Sequence, residues 1–171
     1  MTASSRLSIA ALGVVLTLGF AGIAYAMQLS DWACGKLRGP KQLYFSRSSV
    51  TPTVSGEIFM STRQNGARFG PANAVGALND ATANDIQPNV RTDGLEVVFT
   101  LNRAGGAGGQ DLWVSTRAEL DDPWTAPVSL GAAVNTAAAE TRPSLSRDGK
   151  QLLFGRSPGP EGGSDIYVTT R

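Results

Sequence analysis

The side chains that could do chemistry in this chain are few, and the 171 residues include no histidine. A Ser-His-Asp or Cys-His arrangement, in which imidazole takes the nucleophile's proton, is therefore excluded, as is any histidine-ligated metal. The single cysteine, Cys34, permits neither an intramolecular disulfide nor a cysteine metal cluster. It reads as an unpaired thiol near the N-terminus or, in an oxidising compartment, as one half of an intermolecular disulfide. Carboxylates remain. Asp121-Asp122 is the obvious acidic pair for acid–base work, but two aspartates before Pro123 also suit a turn, where Asp bonds to nearby backbone. Gly105-Gly106-Ala107-Gly108-Gly109 superficially matches a phosphate-cradling loop. It lacks the Gly-Lys-Ser/Thr ending and leads into no helix, so a connection between strands accounts for it. No catalytic residue, cofactor or metal is expected.

What positions these residues is a repeat. Asp85-Ile86-Gln87-Pro88, Thr92-Asp93-Gly94 and Val97-Val98-Phe99 recur 55 residues later as Glu140-Thr141-Arg142-Pro143, Arg147-Asp148-Gly149 and Leu152-Leu153-Phe154. Asp111-Leu112-Trp113-Val114-Ser115-Thr116-Arg117 recurs at a spacing of 54 as Asp165-Ile166-Tyr167-Val168-Thr169-Thr170-Arg171. The same tail stands earlier as Glu57-Ile58-Phe59-Met60-Ser61-Thr62-Arg63. Phe69-Gly70-Pro71 corresponds likewise to Trp124 through Pro127. A fixed period of this size marks arrays and propellers.

Within residues 85–131 the pattern gives four strands. Pro88 to Arg91 is a short first strand, and Leu95 to Leu101 a β-branched and aromatic second. Leu112 to Thr116 alternates as a third, and Val128 to Gly131 is a weaker fourth. Asp93-Gly94 is expected to form a type I′ hairpin turn, with positive φ at both central positions. Phe59, Trp113 and Tyr167 share one strand position and are expected to pack between units, as are Phe69 and Trp124. The arginines ending each tail, Arg63, Arg117 and Arg171, are expected to contact neighbouring units. The fold expected is all-β, with about three four-stranded antiparallel propeller blades after an N-terminal signal helix.

These blocks carry a family resemblance. Asp-x-x-Pro, Asp-Gly, an apolar run ending in Phe, and Gly-Gly-x-Asp resemble the WD40-like propeller repeat called PD40, over about residues 42–171. Asp93, Gly94, Phe99, Gly108, Gly109 and Asp111 match in the second unit; Asp148, Gly149, Phe154, Gly162, Gly163 and Asp165 match in the third. The first unit lacks the Pro and Asp-Gly block; Gly39-Pro40 stands where the turn would be. The resemblance implies six or so blades, a periplasmic or secreted setting and a binding or scaffolding role, as in the periplasmic Tol-system propeller protein. It implies no shared catalytic residues.

The organisation expected is a signal peptide over 1–26, a linker over 27–41, and units over about 42–84, 85–139 and 140–171. Arg6 is the positive n-region, Ile9 to Ala24 the apolar core, and Ala24-Tyr25-Ala26 the cleavage site. Retention of that segment as a membrane anchor is the alternative; cleavage leaves no stable span. Lys and Arg total 15 against 14 acids, which argues against nucleic acid as a partner. Propellers close with about four to eight blades. Either truncation of a longer product or a homodimer of two three-unit chains would account for the count, because an open arc exposes strand edges.

Strand alternation puts the loops between units on the same face as the loops between strands two and three. That face collects Asp85, Glu140, Arg103 and Arg156 among flexible glycines. They are the candidate ligand- or partner-binding residues, since loops carry function more often than their scaffold. The alternative is that Asp85 and Glu140 pair structurally with Arg103 and Arg156. Charge reversal at the two arginines is expected to abolish capture with the fold intact. The functional reading is an exported, non-catalytic module that binds a protein or envelope component. The alternative is a non-catalytic or truncated part of a larger propeller-containing hydrolase, of peptidase or glycosidase type.

Overall fold

Runs rich in Val, Ile, Phe, Tyr and Thr, broken by Gly and Pro, fold in a computed structural model into three antiparallel sheets. The structure describes residues 42–48, 56–64 and 68–171. The signal segment, the linker with Cys34, and Gly39-Pro40 lie outside the described residues.

The first sheet holds β1 (Gln42–Arg47) and β2 (Glu57–Gln64), with β3 (Arg68–Phe69) and β4 (Asn73–Ala74) both on β2. The second is a complete unit in the order β5 (Ile86–Val90), β6 (Glu96–Leu101), β7 (Asp111–Thr116), β8 (Val128–Ser129). The third runs β9 (Ala139–Leu145), β10 (Gln151–Ser157), β11 (Asp165–Thr170), with β9 and β11 flanking β10. The strands expected over 85–131 are therefore present, and β1 and β2 repeat β6 and β7.

Register fixes what meets what. Phe45 lies opposite Phe59, Phe99 opposite Trp113, and Phe154 opposite Tyr167. Side chains alternate between the two faces of a strand, so one sheet serves two cores. Val97, Phe99, Leu101 and Trp113 of the second unit pack with Tyr44 and Ile58 of the first. Val98 and Leu112, on the other face, pack with Leu152 and Phe154 of the third. Trp124 is buried against Tyr44 with ring centroids 5.9 Å apart, as expected for an aromatic between units. Phe69, its counterpart, is 37% exposed and is not core. It sits on the face of the first unit that points away from the second.

Two of the three tail arginines, Arg117 and Arg171, tie the units as expected. Arg117 Nε donates to Gly94 O at 2.7 Å, and its Nη2 reaches Gln42 of the first unit at 2.7 Å. Arg171 Nε donates to Gly149 O at 2.7 Å, and its Nη1 pairs with Glu96 of the second unit. Glu96, buried, also takes Arg91 Nη1 at 2.9 Å.

The Asp-Gly turns differ from expectation. Only the glycines have positive φ, 76° at Gly94 and 70° at Gly149, so the turns are not type I′. Gly94 N–H closes a turn on Arg91 O at 2.8 Å, and Asp93 Oδ1 accepts from Leu95 N at 3.0 Å. The aspartate is there to cap backbone, and the glycine alone takes the left-handed conformation. A second pair of left-handed residues is not glycine. Gln87 and Arg142 hold φ of 56° and 55° at the same point of successive units. The register of both sheets shifts there. The bulge turns the Arg142 N–H onto Gln87 Oε1 of the preceding unit at 2.8 Å.

Candidate functional site

The four charged residues singled out from the sequence do lie on one loop face, and the structure brings them together as two ion pairs. Asp85 and Glu140 begin the second and third units and are fully buried. Arg103 follows the second strand of its unit, and Arg156 stands near the end of the second strand of its own. Arg103 Nη2 meets Asp85 Oδ1 at 2.9 Å, and Arg156 Nε meets Glu140 Oε1 at 2.7 Å. Each arginine also donates from Nη2 to the carbonyl of a buried apolar residue just upstream, Leu78 at 3.0 Å or Val134 at 2.9 Å.

The remaining carboxylate capacity is used as well. Asp85 Oδ2 accepts from Asp80 N at 2.6 Å. Glu140 accepts from Thr136 N at 2.9 Å and Thr136 Oγ1 at 2.6 Å. Both carboxylates are therefore committed on both oxygens and stitch the loop between units to the strand-two end. Charge reversal at either arginine would bring two negative charges within hydrogen-bond distance in a buried setting, so it would damage the fold. The expectation that the fold survives such a change is corrected on that ground.

Sequence reading missed two residues of this clasp. Asn79 uses its amide to complete both backbone groups of Ile58, accepting from N at 2.7 Å and donating to O at 2.9 Å. Asn135 does the same for Leu112, at 2.9 Å each way. The signal was visible as Leu78-Asn79 recurring as Val134-Asn135. An amide side chain carries its donor and its acceptor on separate atoms, so it can bond the N–H and the C=O of one strand residue together.

The glycine-rich loop is wrapped around a carboxylate. Asp111 Oδ2 accepts from Ala107 N at 3.0 Å and Gly108 N at 3.2 Å. Those amides already hold an anion of the protein itself, which agrees with a structural connection. Gly108 packs so closely on the loop leading into the third unit that a Cβ there would lie 2.3 Å from Ala138 O and 2.5 Å from Thr136 O. A Cβ at Gly109 would meet nothing within 4 Å. Gly108→Ala is expected to cost about 1–3 kcal/mol in denaturant titration, and Gly109→Ala close to nothing; equal effects would refute the contact. Asp121 and Asp122 are both exposed. Asp122 Oδ2 accepts from Glu119 N at 3.0 Å, so this pair forms a turn. Among the described residues no cluster of three or more Cys, Asp or Glu could hold a metal ion, and no helix is long and apolar enough to cross a membrane.

Charge states divide by position. Burial pushes the Asp85 carboxyl above its ordinary value, against the downward pull of the Asp80 N–H and Arg103. Hydrogen bonds from Arg91 hold Asp93 below it, and the Ser146 hydroxyl holds Asp148 below it. A depressed carboxyl stabilises the fold above its unfolded pKa, and that stability is lost as pH falls through the folded value; Asp85 works in the opposite direction. Stability is therefore expected to drop as pH falls below about 4, with Asp93→Asn flattening the slope. An unchanged slope in that variant would contradict the assignment.

No protein-family model matches the chain, and no curated protein matches it. Among solved structures it is similar to a thermostable family-43 glycoside hydrolase, at 11% identity and a TM-score of 0.49. The match covers 86% of this chain and 53% of the hydrolase, so the chain spans about half the length of the structure it matches.

Proposed function

We propose that the chain is an exported, non-catalytic β-propeller segment of the PD40 type, which binds a protein partner or envelope component through its loop face. The observation that carries this reading is the commitment of Asp85 and Glu140. Each carboxylate is fully buried and paired with an arginine. Neither is placed to take a proton from a substrate. In a chain without histidine, that removes both clasp carboxylates from acid–base work. The clasps hold the bases of two exposed loops, 104–109 and 160–164, whose tips are free to touch a partner.

The second reading is a non-catalytic part of a larger propeller-containing hydrolase. It is favoured by the apolar outer face of the third unit, where Ile166 is 82% and Val168 62% exposed, since further blades would cover it. One pair of measurements separates the two. A photo-crosslinking residue at Ala104 should trap an envelope component in cells, and one at Lys150 on the opposite face should not. Turnover of peptide or glycoside substrates by the purified chain would overturn the binding reading. Absence of a crosslink at Ala104 would do the same.

A further inference from the structure

The outer faces of the first and third units carry the two halves of a joint that the chain builds between its first and second units and again between its second and third. On the outer face of the third unit, Leu153, Ile166 and Val168 are 40%, 82% and 62% exposed. By strand register they stand where Val98, Leu112 and Val114 stand in the second unit and Tyr44, Ile58 and Met60 in the first. All of those inner counterparts pack against the following unit. The third unit thus presents a finished docking face.

The opposite end presents what such a face receives. Phe45 and Phe59, half-buried, point away from the second unit and stack with centroids 6.0 Å apart. Phe154 and Tyr167, which face the second unit, stack likewise at 5.8 Å and are the rings packed against Val98 and Leu112. Arg47 lies over Phe59 at 4.6 Å as Arg156 lies over Tyr167 at 4.2 Å. Phe69 is 37% exposed where Trp124 is covered by Tyr44 of the preceding unit. The polar tie is duplicated too. Arg117 reaches Gln42, and Arg171 reaches Glu96, each in the preceding unit. Arg63 is the matching arginine of the first unit. Gln151, the residue that corresponds to Gln42 and Glu96, is exposed on the third unit.

We propose that a second copy of this chain docks head to tail, its first unit on the outer face of the third, and that two such joints close a ring of six units. Arg63 of each copy then meets Gln151 of the other, and Phe69 covers Leu153. The occupant is a copy of this chain because the required surface, with the same rings, the same arginine and the same register, is the chain's own opposite end. A head-to-tail contact either closes or propagates.

The test is light scattering on the purified chain with two variants, Val168→Glu and Phe69→Glu. Both positions are solvent-exposed in the single chain, so each variant keeps its β-sheet circular dichroism. The unaltered chain should show twice the single-chain mass. Each variant alone should weaken association about 30-fold or more. An equimolar mixture should recover part of the dimer, because one of its two joints is then unaltered. A monodisperse monomer would overturn the proposal. So would a ladder of larger assemblies, or a dimer indifferent to both substitutions.

Discussion

Glu140→Ala should lower the stability of the chain by about 3–5 kcal/mol, the cost of leaving a buried charge without its partner. Glu140 is fully buried, and its carboxylate receives Arg156 Nε, Thr136 N and Thr136 Oγ1 at 2.7, 2.9 and 2.6 Å. Alanine strands three donors at once. The Arg156 side chain is 19% exposed and reaches little water in compensation. Its second bond, to Val134 O, fixes it in place. At about 2–4 °C per kcal/mol for a chain of this size, the melting temperature should fall by about 10 °C. Calorimetry on Glu140→Ala, Arg156→Ala and the double variant would also show strong coupling, since the second removal costs little once the first charge is gone. A loss under about 1 kcal/mol would mean that the pair behaves as a surface ion pair and fastens nothing.

Phe99→Ala should cost about 3–5 kcal/mol, while Phe45→Ala, the same residue one unit earlier, should cost under about 2 kcal/mol at concentrations where the chain is monomeric. Phe99 is completely buried between the first and second units. Removing its ring opens a cavity walled by two sheets that cannot both relax. Phe45 occupies the same register position opposite an aromatic, yet it faces away from the second unit and is half-buried. Identical local sequence logic should therefore yield unequal energies. Urea titrations of both variants test this directly; equal losses would show that the first unit is already covered by something else.

Much of the fold was legible because a β-unit repeats its punctuation. Asp93-Gly94 and Asp148-Gly149 mark one turn, and the runs ending in Phe99 and Phe154 mark one strand. The turn type was not legible, because Asp-Gly suits several turns and the choice depends on where Leu95 N finds its acceptor. The candidate site was legible as a set of four charges and as a face. Its pairing was left open, since sequence spacing cannot show that both oxygens of Glu140 are already taken. Asn79 and Asn135 went unread because an asparagine in a loop is common, and only a neighbouring strand with a backbone N–H to be met, at Ile58 and at Leu112, makes it necessary. Phe69 was misplaced for the opposite reason. Its counterpart Trp124 is core only because Tyr44 of another unit covers it.

The amino-acid sequence by itself determined the repeat, its strands and the side chains that each unit turns to either face. Those properties follow from local alternation and turn chemistry, which need no neighbour. Only the tertiary structure decided which of those faces are filled. Burial is a property of two surfaces, so Val98 and Leu153 differ though their register is the same. The same holds for charge: Asp85 and Glu140 became fasteners when folding brought an arginine to each of them, and pairing, like packing, exists only where the chain meets itself.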